Sequence, residues 1–128
     1  MFRRRASILA SVAVLAVSSL GVSAQGSLEQ RPYDEKLMRL SEILGAVHFL
    51  RELCGGTDGP LWRDRMRELL EAEGSSALRK ARLTRSFNNG YRSYSRTYQA
   101  CTPTAQSAVA KFMGEAADIA DNLVKTVP

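Results

Sequence analysis

The sequence predicts an all-α fold: a four-helix, bundle-like domain with one disulfide, following an N-terminal signal peptide. Three observations carry that expectation. Four segments repeat apolar residues at three- and four-residue steps and are separated by Gly- or Pro-marked turns. No stretch shows the strict alternation of a half-buried strand. The first residues have the order of an export leader, and the rest suffices for one small core. The chain has 128 residues, of which 45% are hydrophobic and 24% charged. These ordinary values exclude a disordered tail, a collagen-like chain and a membrane-filling bundle.

Arg3, Arg4 and Arg5 open the leader, residues 8–22 are uncharged and apolar or small, and Val22-Ser23-Ala24 gives a small-residue exit. This order predicts cleavage after Ala24 and a periplasmic location. The apolar run is too short and too rich in Ala and Ser for a spanning helix, so no transmembrane segment is expected after cleavage. Residues 1–24 are read as signal peptide, 25–32 as a flexible mature N-terminus and 33–128 as the helical domain. Without the leader, Lys and Arg fall from 18 to 15 against 13 acidic residues, so the net charge falls from +5 to +2. Most of the apparent basicity belongs to the leader, and nucleic acid is not an expected partner.

The first helix is expected over about Asp34 to Cys54, with Leu37, Leu40, Ile43, Leu44, Val47, Leu50 and Cys54 on one face. Gly55-Gly56 ends it. A short second helix runs from about Pro60 to Glu73, with Asp58 or Gly59 as cap and Leu61, Trp62, Met66, Leu69 and Leu70 buried. Gly74 stops it. The third begins at Ser75 or Ser76 and continues toward Ala100. Asn88-Asn89-Gly90 interrupts its good helix formers, but the phase of Leu83, Phe87, Tyr91, Tyr94, Tyr98 and Cys101 runs through the triplet, so a continuous helix is expected. The fourth is capped by Thr102 and starts at Pro103. Its stripe is Val109, Phe112, Met113, Ala116, Ile119, Ala120, Leu123 and Val124.

Cys54 and Cys101 are the only cysteines. An even count in an oxidising compartment favours a bond; two buried thiols or a redox pair are the alternatives. Two cysteines and a single histidine do not make a zinc site, and no metal or other cofactor is expected.

The run Leu44-Gly45-Ala46-Val47-His48-Phe49-Leu50-Arg51-Glu52-Leu53-Cys54-Gly55 comes with Trp62-Arg63, Met66, Phe87-Asn88-Asn89-Gly90-Tyr91-Arg92, Thr97-Tyr98 and Cys101-Thr102-Pro103. Together they resemble a family of small exported proteobacterial proteins of unknown function, across about Tyr33 to Val124. The resemblance implies a periplasmic location and a paired Cys54–Cys101. It brings no catalytic residue.

Charge along the chain is uneven. Residues 75–111 hold seven basic side chains and no acidic one. Arg82, Arg85, Arg92 and Arg96 share an arc of about 80° opposite the aromatic stripe of the third helix. Guanidinium groups so placed are suited to phosphate or carboxylate groups. The candidate partner is an anionic envelope component or an acidic protein surface. The plain alternative is a solvated face, or pairing with Glu68, Glu71, Glu73, Asp118 and Asp121. His48, at the edge of the first stripe, and Arg51, within it, form a candidate polar site. Structural roles, as a packed histidine and an internally paired arginine, are the simpler readings. Tyr91, Tyr94 and Tyr98 form an aromatic row expected in the core, with a sugar or peptide cleft as the alternative.

No hydrolase, metalloprotease, phosphate-loop or dinucleotide motif is present, and no catalytic residue is assigned. The function expected is a non-enzymatic binding or interaction module of the cell envelope. A small periplasmic enzyme using His48 and a stress-type periplasmic chaperone are the alternatives. The sequence does not specify the oligomeric state.

Overall fold

The computed structural model describes residues 30–126. The expected signal peptide lies outside the described residues, as does most of the expected flexible N-terminus. The described chain is α1 (Asp34–Leu53), α2 (Gly59–Glu73), α3 (Ala77–Thr97) and α4 (Pro103–Thr126), with no strand among the described residues. No helix among them is long and apolar enough to cross a membrane.

Local signals set the boundaries. Gly55 takes φ 74°, a left-handed exit that glycine adopts without steric cost. The Ser76 hydroxyl accepts from the Arg79 backbone N–H at 3.1 Å and so caps α3. The Thr102 hydroxyl accepts from Ala105 N–H at 3.1 Å ahead of α4. Asp58 precedes α2 but makes no side-chain cap bond; its carboxylate binds Arg51 instead.

α1 is the centre, and each of the other helices packs on it. One of its sides, formed by Ile43, Ala46, Val47 and Leu50, meets Ala105 and Phe112 of α4. Another, with Leu37 and Leu44, meets Met66 of α2 and Leu83 of α3. The single apolar face expected for the first helix is therefore too narrow. Ile43 through His48 are buried without a break, because neighbours cover the helix on several sides.

α4 departs from expectation in the opposite sense. Its backbone approaches only α1 among the described helices, so only a narrow strip around Ala105 and Phe112 is buried. Met113, Ala120 and Val124, expected in the stripe, are exposed. Leu61, expected in the core, is exposed at the start of α2.

The Asn88-Asn89-Gly90 triplet lies inside a continuous α3, and the packing shows why glycine stands there. A Cβ on Gly90 would come within 2.0 Å of the Glu42 carbonyl oxygen, and one on Gly45 within 1.9 Å of the Phe87 carbonyl oxygen. α1 and α3 thus cross backbone to backbone, one glycine from each side. Gly90→Ala in an isolated helix would gain about 1 kcal/mol. Here it is expected to cost about 1–3 kcal/mol, because the obstructing atoms are backbone and the helices must separate. Gly45→Ala should cost as much. The double variant should cost less than the two added, since one separation relieves both clashes. Thermal melts of the three variants check this, and a stabilised Gly90→Ala would remove the close crossing from the account.

Cys54 and Cys101 are bonded, with Cα atoms 4.9 Å apart and 47 residues of sequence separation. The bond ties the end of α1 to the segment leading into α4. It is compatible with an extracellular or periplasmic location.

Candidate functional site

Arg85, Arg92 and Arg96 are exposed on the outer side of α3, and Arg82 is half-buried at its margin. Among the described residues none of the four lies within 4.0 Å of a carboxylate. Apart from Arg63 of α2, which also has no carboxylate within 4.0 Å among the described residues, the arginines of the preceding helices are arranged differently. Arg39 forms a bidentate pair with Glu115 at 2.7 and 2.9 Å, Arg51 pairs with Asp58 at 3.0 Å, and Arg65 and Arg67 pair with Glu68 and Asp64. The acidic residues weighed as partners for the α3 face are not seated against it.

Beside Arg85 and Arg92 runs a shallow, open depression of about 600 Å³. Ala77, Ala81 and Thr84 form its small-residue floor, while Lys80, Arg85 and Arg92 line it with cationic groups. Side chains this short leave the guanidinium groups standing clear of the helix, where they can close on a flat or extended anionic surface.

His48 and Arg51 do not form one site. The Arg51 guanidinium binds Asp58, and this bond, more than any other effect, holds the Asp58 carboxyl below the usual aspartate range. His48 is 2% exposed, wedged against Phe87 and Tyr91 with ring centroids 6.0 and 5.7 Å away. It lines a separate cleft between α1 and α2 with Glu52, Arg63 and Asp64. That cleft is open rather than closed, and no Ser, Thr, Cys or Lys lines it.

The tyrosine row divides. Tyr91 packs edge-on against Phe49 and sends its hydroxyl to Glu52 at 3.4 Å. Burial and the neighbouring Glu52 carboxylate push this phenol above its ordinary pKa. Tyr94 packs edge-on against Phe112 and stacks on Tyr98, and both line a groove with Ser107 and Lys111 of α4. The row is therefore part core and part groove wall.

A family model described as protein of unknown function, DUF2385, matches residues 32–127. The chain belongs to this family. No curated protein and no solved structure matches it. The DUF2385 match spans all four helices, and its description carries no activity to any residue.

One structural centre of this DUF2385 domain is invisible in the charge pattern. Arg79, counted in the basic stretch of α3, is 2% exposed. Its Nη1 donates to Asp34 Oδ2 at 2.7 Å, Nη2 lies 2.6 Å from Asp34 Oδ1, and Nε donates to the Glu73 carbonyl oxygen. The Tyr33 hydroxyl donates to Glu73 at 3.2 Å. Arg79 thus joins the starts of α1 and α3 to the end of α2. Its position one turn after the Ser76 cap was the only available signal, and that signal does not separate a buried arginine from a solvated one. Among the described residues no group of His, Cys, Asp and Glu has the arrangement of a metal site.

Proposed function

We propose that the protein is a non-enzymatic interaction module of the cell envelope that docks an anionic surface on the outer side of α3. The observation that carries this reading is the clustering of unpaired arginines: Arg39, Arg51, Arg65, Arg67 and Arg79 are committed to carboxylates and Arg63 stands alone on α2, while Arg82, Arg85, Arg92 and Arg96 lie together on one face without a carboxylate within 4.0 Å among the described residues. The four span about 21 Å of helix at 1.5 Å per residue, a length suited to several headgroups or phosphates. The oxidised Cys54–Cys101 pair supports a periplasmic setting. Residues 1–24 support export with cleavage after Ala24. Phosphate-bearing lipid headgroups are an anionic surface of the flat, repeating kind that such a row of guanidinium groups fits.

The test is co-sedimentation of the mature, oxidised protein with phosphatidylglycerol vesicles. A basic side chain near an anionic surface contributes about 1 kcal/mol. The Arg85→Glu/Arg92→Glu/Arg96→Glu variant should therefore bind at least about a hundredfold more weakly, with its helix content unchanged by circular dichroism. Binding by the parent should fall steeply with salt and be lost on phosphatidylcholine vesicles. A parent that does not bind, or a triple variant that binds equally well, overturns the proposal.

A further inference from the structure

We infer that the cleft between the C-terminal half of α1 and the start of α2 binds a small zwitterion, a free amino acid or a dipeptide. Its volume is about 280 Å³. At about 30 Å³ per water, that is room for about nine waters, the space of a small amino acid or a short dipeptide.

The first ground is His48. Its side chain is 3% exposed, and neither ring nitrogen has a hydrogen-bond partner. A buried polar group without a partner is costly, and the rings of Phe87 and Tyr91 hold the imidazole in place. Nε2 lies on the Glu52 side, 3.4 Å from Oε1, without making a hydrogen bond. The site therefore presents a fixed, unsatisfied donor–acceptor group at its wall.

The second ground is the charge inventory. Asp64 and Arg67 close on each other at 3.1 Å. That leaves Arg63, which has no carboxylate within 4.0 Å among the described residues. It also leaves Glu52, whose polar approaches, from His48 and from the Tyr91 hydroxyl, are both at 3.4 Å. One uncommitted guanidinium and one weakly engaged carboxylate thus share a small cleft with a buried imidazole. The complement is a molecule carrying a carboxylate for Arg63 and an ammonium for Glu52. This site is separate from the α3 face.

His48 is the only histidine in the sequence, so its imidazole resonances report on the cleft without ambiguity. The experiment is an NMR titration of the mature, oxidised, histidine-labelled protein with alanine and dialanine, and in parallel with propionate and ethylamine. A saturable His48 shift is expected with alanine or dialanine, and at least tenfold weaker binding with propionate or ethylamine. Arg63→Gln and Glu52→Gln should each weaken the zwitterion at least tenfold while leaving the amide spectrum of α3 and α4 in place. The Arg85→Glu/Arg92→Glu/Arg96→Glu variant should bind it like the parent. Absence of a saturable shift overturns the inference. So does equal affinity for propionate, or an unchanged affinity in both single variants.

Discussion

Replacing Arg79 with alanine is expected to destabilise the protein by about 3–5 kcal/mol, the range for removing one partner of a buried ion pair. For a domain of this size, that corresponds to a fall in Tm of roughly 12 °C or more. The arginine side chain is 2% exposed, and Asp34 and Glu73 are 16% and 22% exposed. Truncation leaves two carboxylates facing each other across the junction of three helices, with an unpaired Glu73 carbonyl beside them. The loss thus comes mainly from what is stranded, which gives the prediction a second arm. Arg79→Met combined with Asp34→Asn and Glu73→Gln removes the stranded charges and should recover more than half of the deficit. A single variant melting within a few degrees of the parent would falsify the assignment of this cluster as the main polar tie of the fold.

The same cluster sets a pH signature. Burial of Asp34 works against its charge. The Arg79 hydrogen bond, the Arg31 backbone N–H and the Arg79 charge outweigh it and hold the carboxyl below the usual aspartate range. A carboxyl depressed in the folded state contributes stability that is fully present above its unfolded value of about 3.9. That contribution is lost as pH falls through the lower folded value. Below about pH 4 the parent should therefore lose this increment. Arg79→Ala no longer has it to lose, so the gap in Tm between the two should narrow from pH 5 toward pH 2.

Arg79 also marks where the sequence stops being legible. The helices could be read because their signals are local: Ser76 and Thr102-Pro103 cap, Gly55-Gly56 ends a run, and apolar spacing gives each phase. What a residue meets across the fold is not written in its own neighbourhood. Arg79 is buried because Asp34, 45 residues away, arrives beside it. Gly90 looked like a weak point within a run of helix formers, and only the Glu42 carbonyl of another helix turns it into a requirement. The candidate site divides the same way. The common phase of Arg82, Arg85, Arg92 and Arg96 follows from 100° per residue. Whether Glu68 or Asp118 would reach them depended on how α2 and α4 dock. His48 read as a boundary residue because the wall that completes its cleft, Gly59 to Arg67, belongs to the next helix.

The second large effect is expected from the disulfide. A bond between residues 47 apart stabilises by about 4 kcal/mol in the chain-entropy model, so Cys54→Ser/Cys101→Ser, or reduction, should lower Tm by roughly as much as Arg79→Ala. The damage should be uneven. α4 starts two residues after Cys101, buries only Ala105 and Phe112, and approaches the backbone of α1 alone among the described helices, with Tyr94 of α3 adding an edge-on contact to Phe112. Its main polar tie, Arg39–Glu115, joins side chains that are 40% and 42% exposed, an arrangement worth at most about 1 kcal/mol. α1, α2 and α3 keep the Leu37, Leu44, Met66 and Leu83 cluster, the glycine crossing and the Arg79 centre. Amide hydrogen exchange of the reduced protein should therefore rise first and most across 103–126, with the α1–α3 crossing still protected. Uniform loss of protection, or no change on reduction, would show that α4 is held by something other than the bond. If α4 does loosen, it uncovers Ile43, Val47 and Leu50, an apolar face that invites association. A chain reaching its folded form in a reducing compartment would expose that face more often. The oxidation that closes Cys54 to Cys101 and the export expected from residues 1–24 then satisfy one and the same physical requirement.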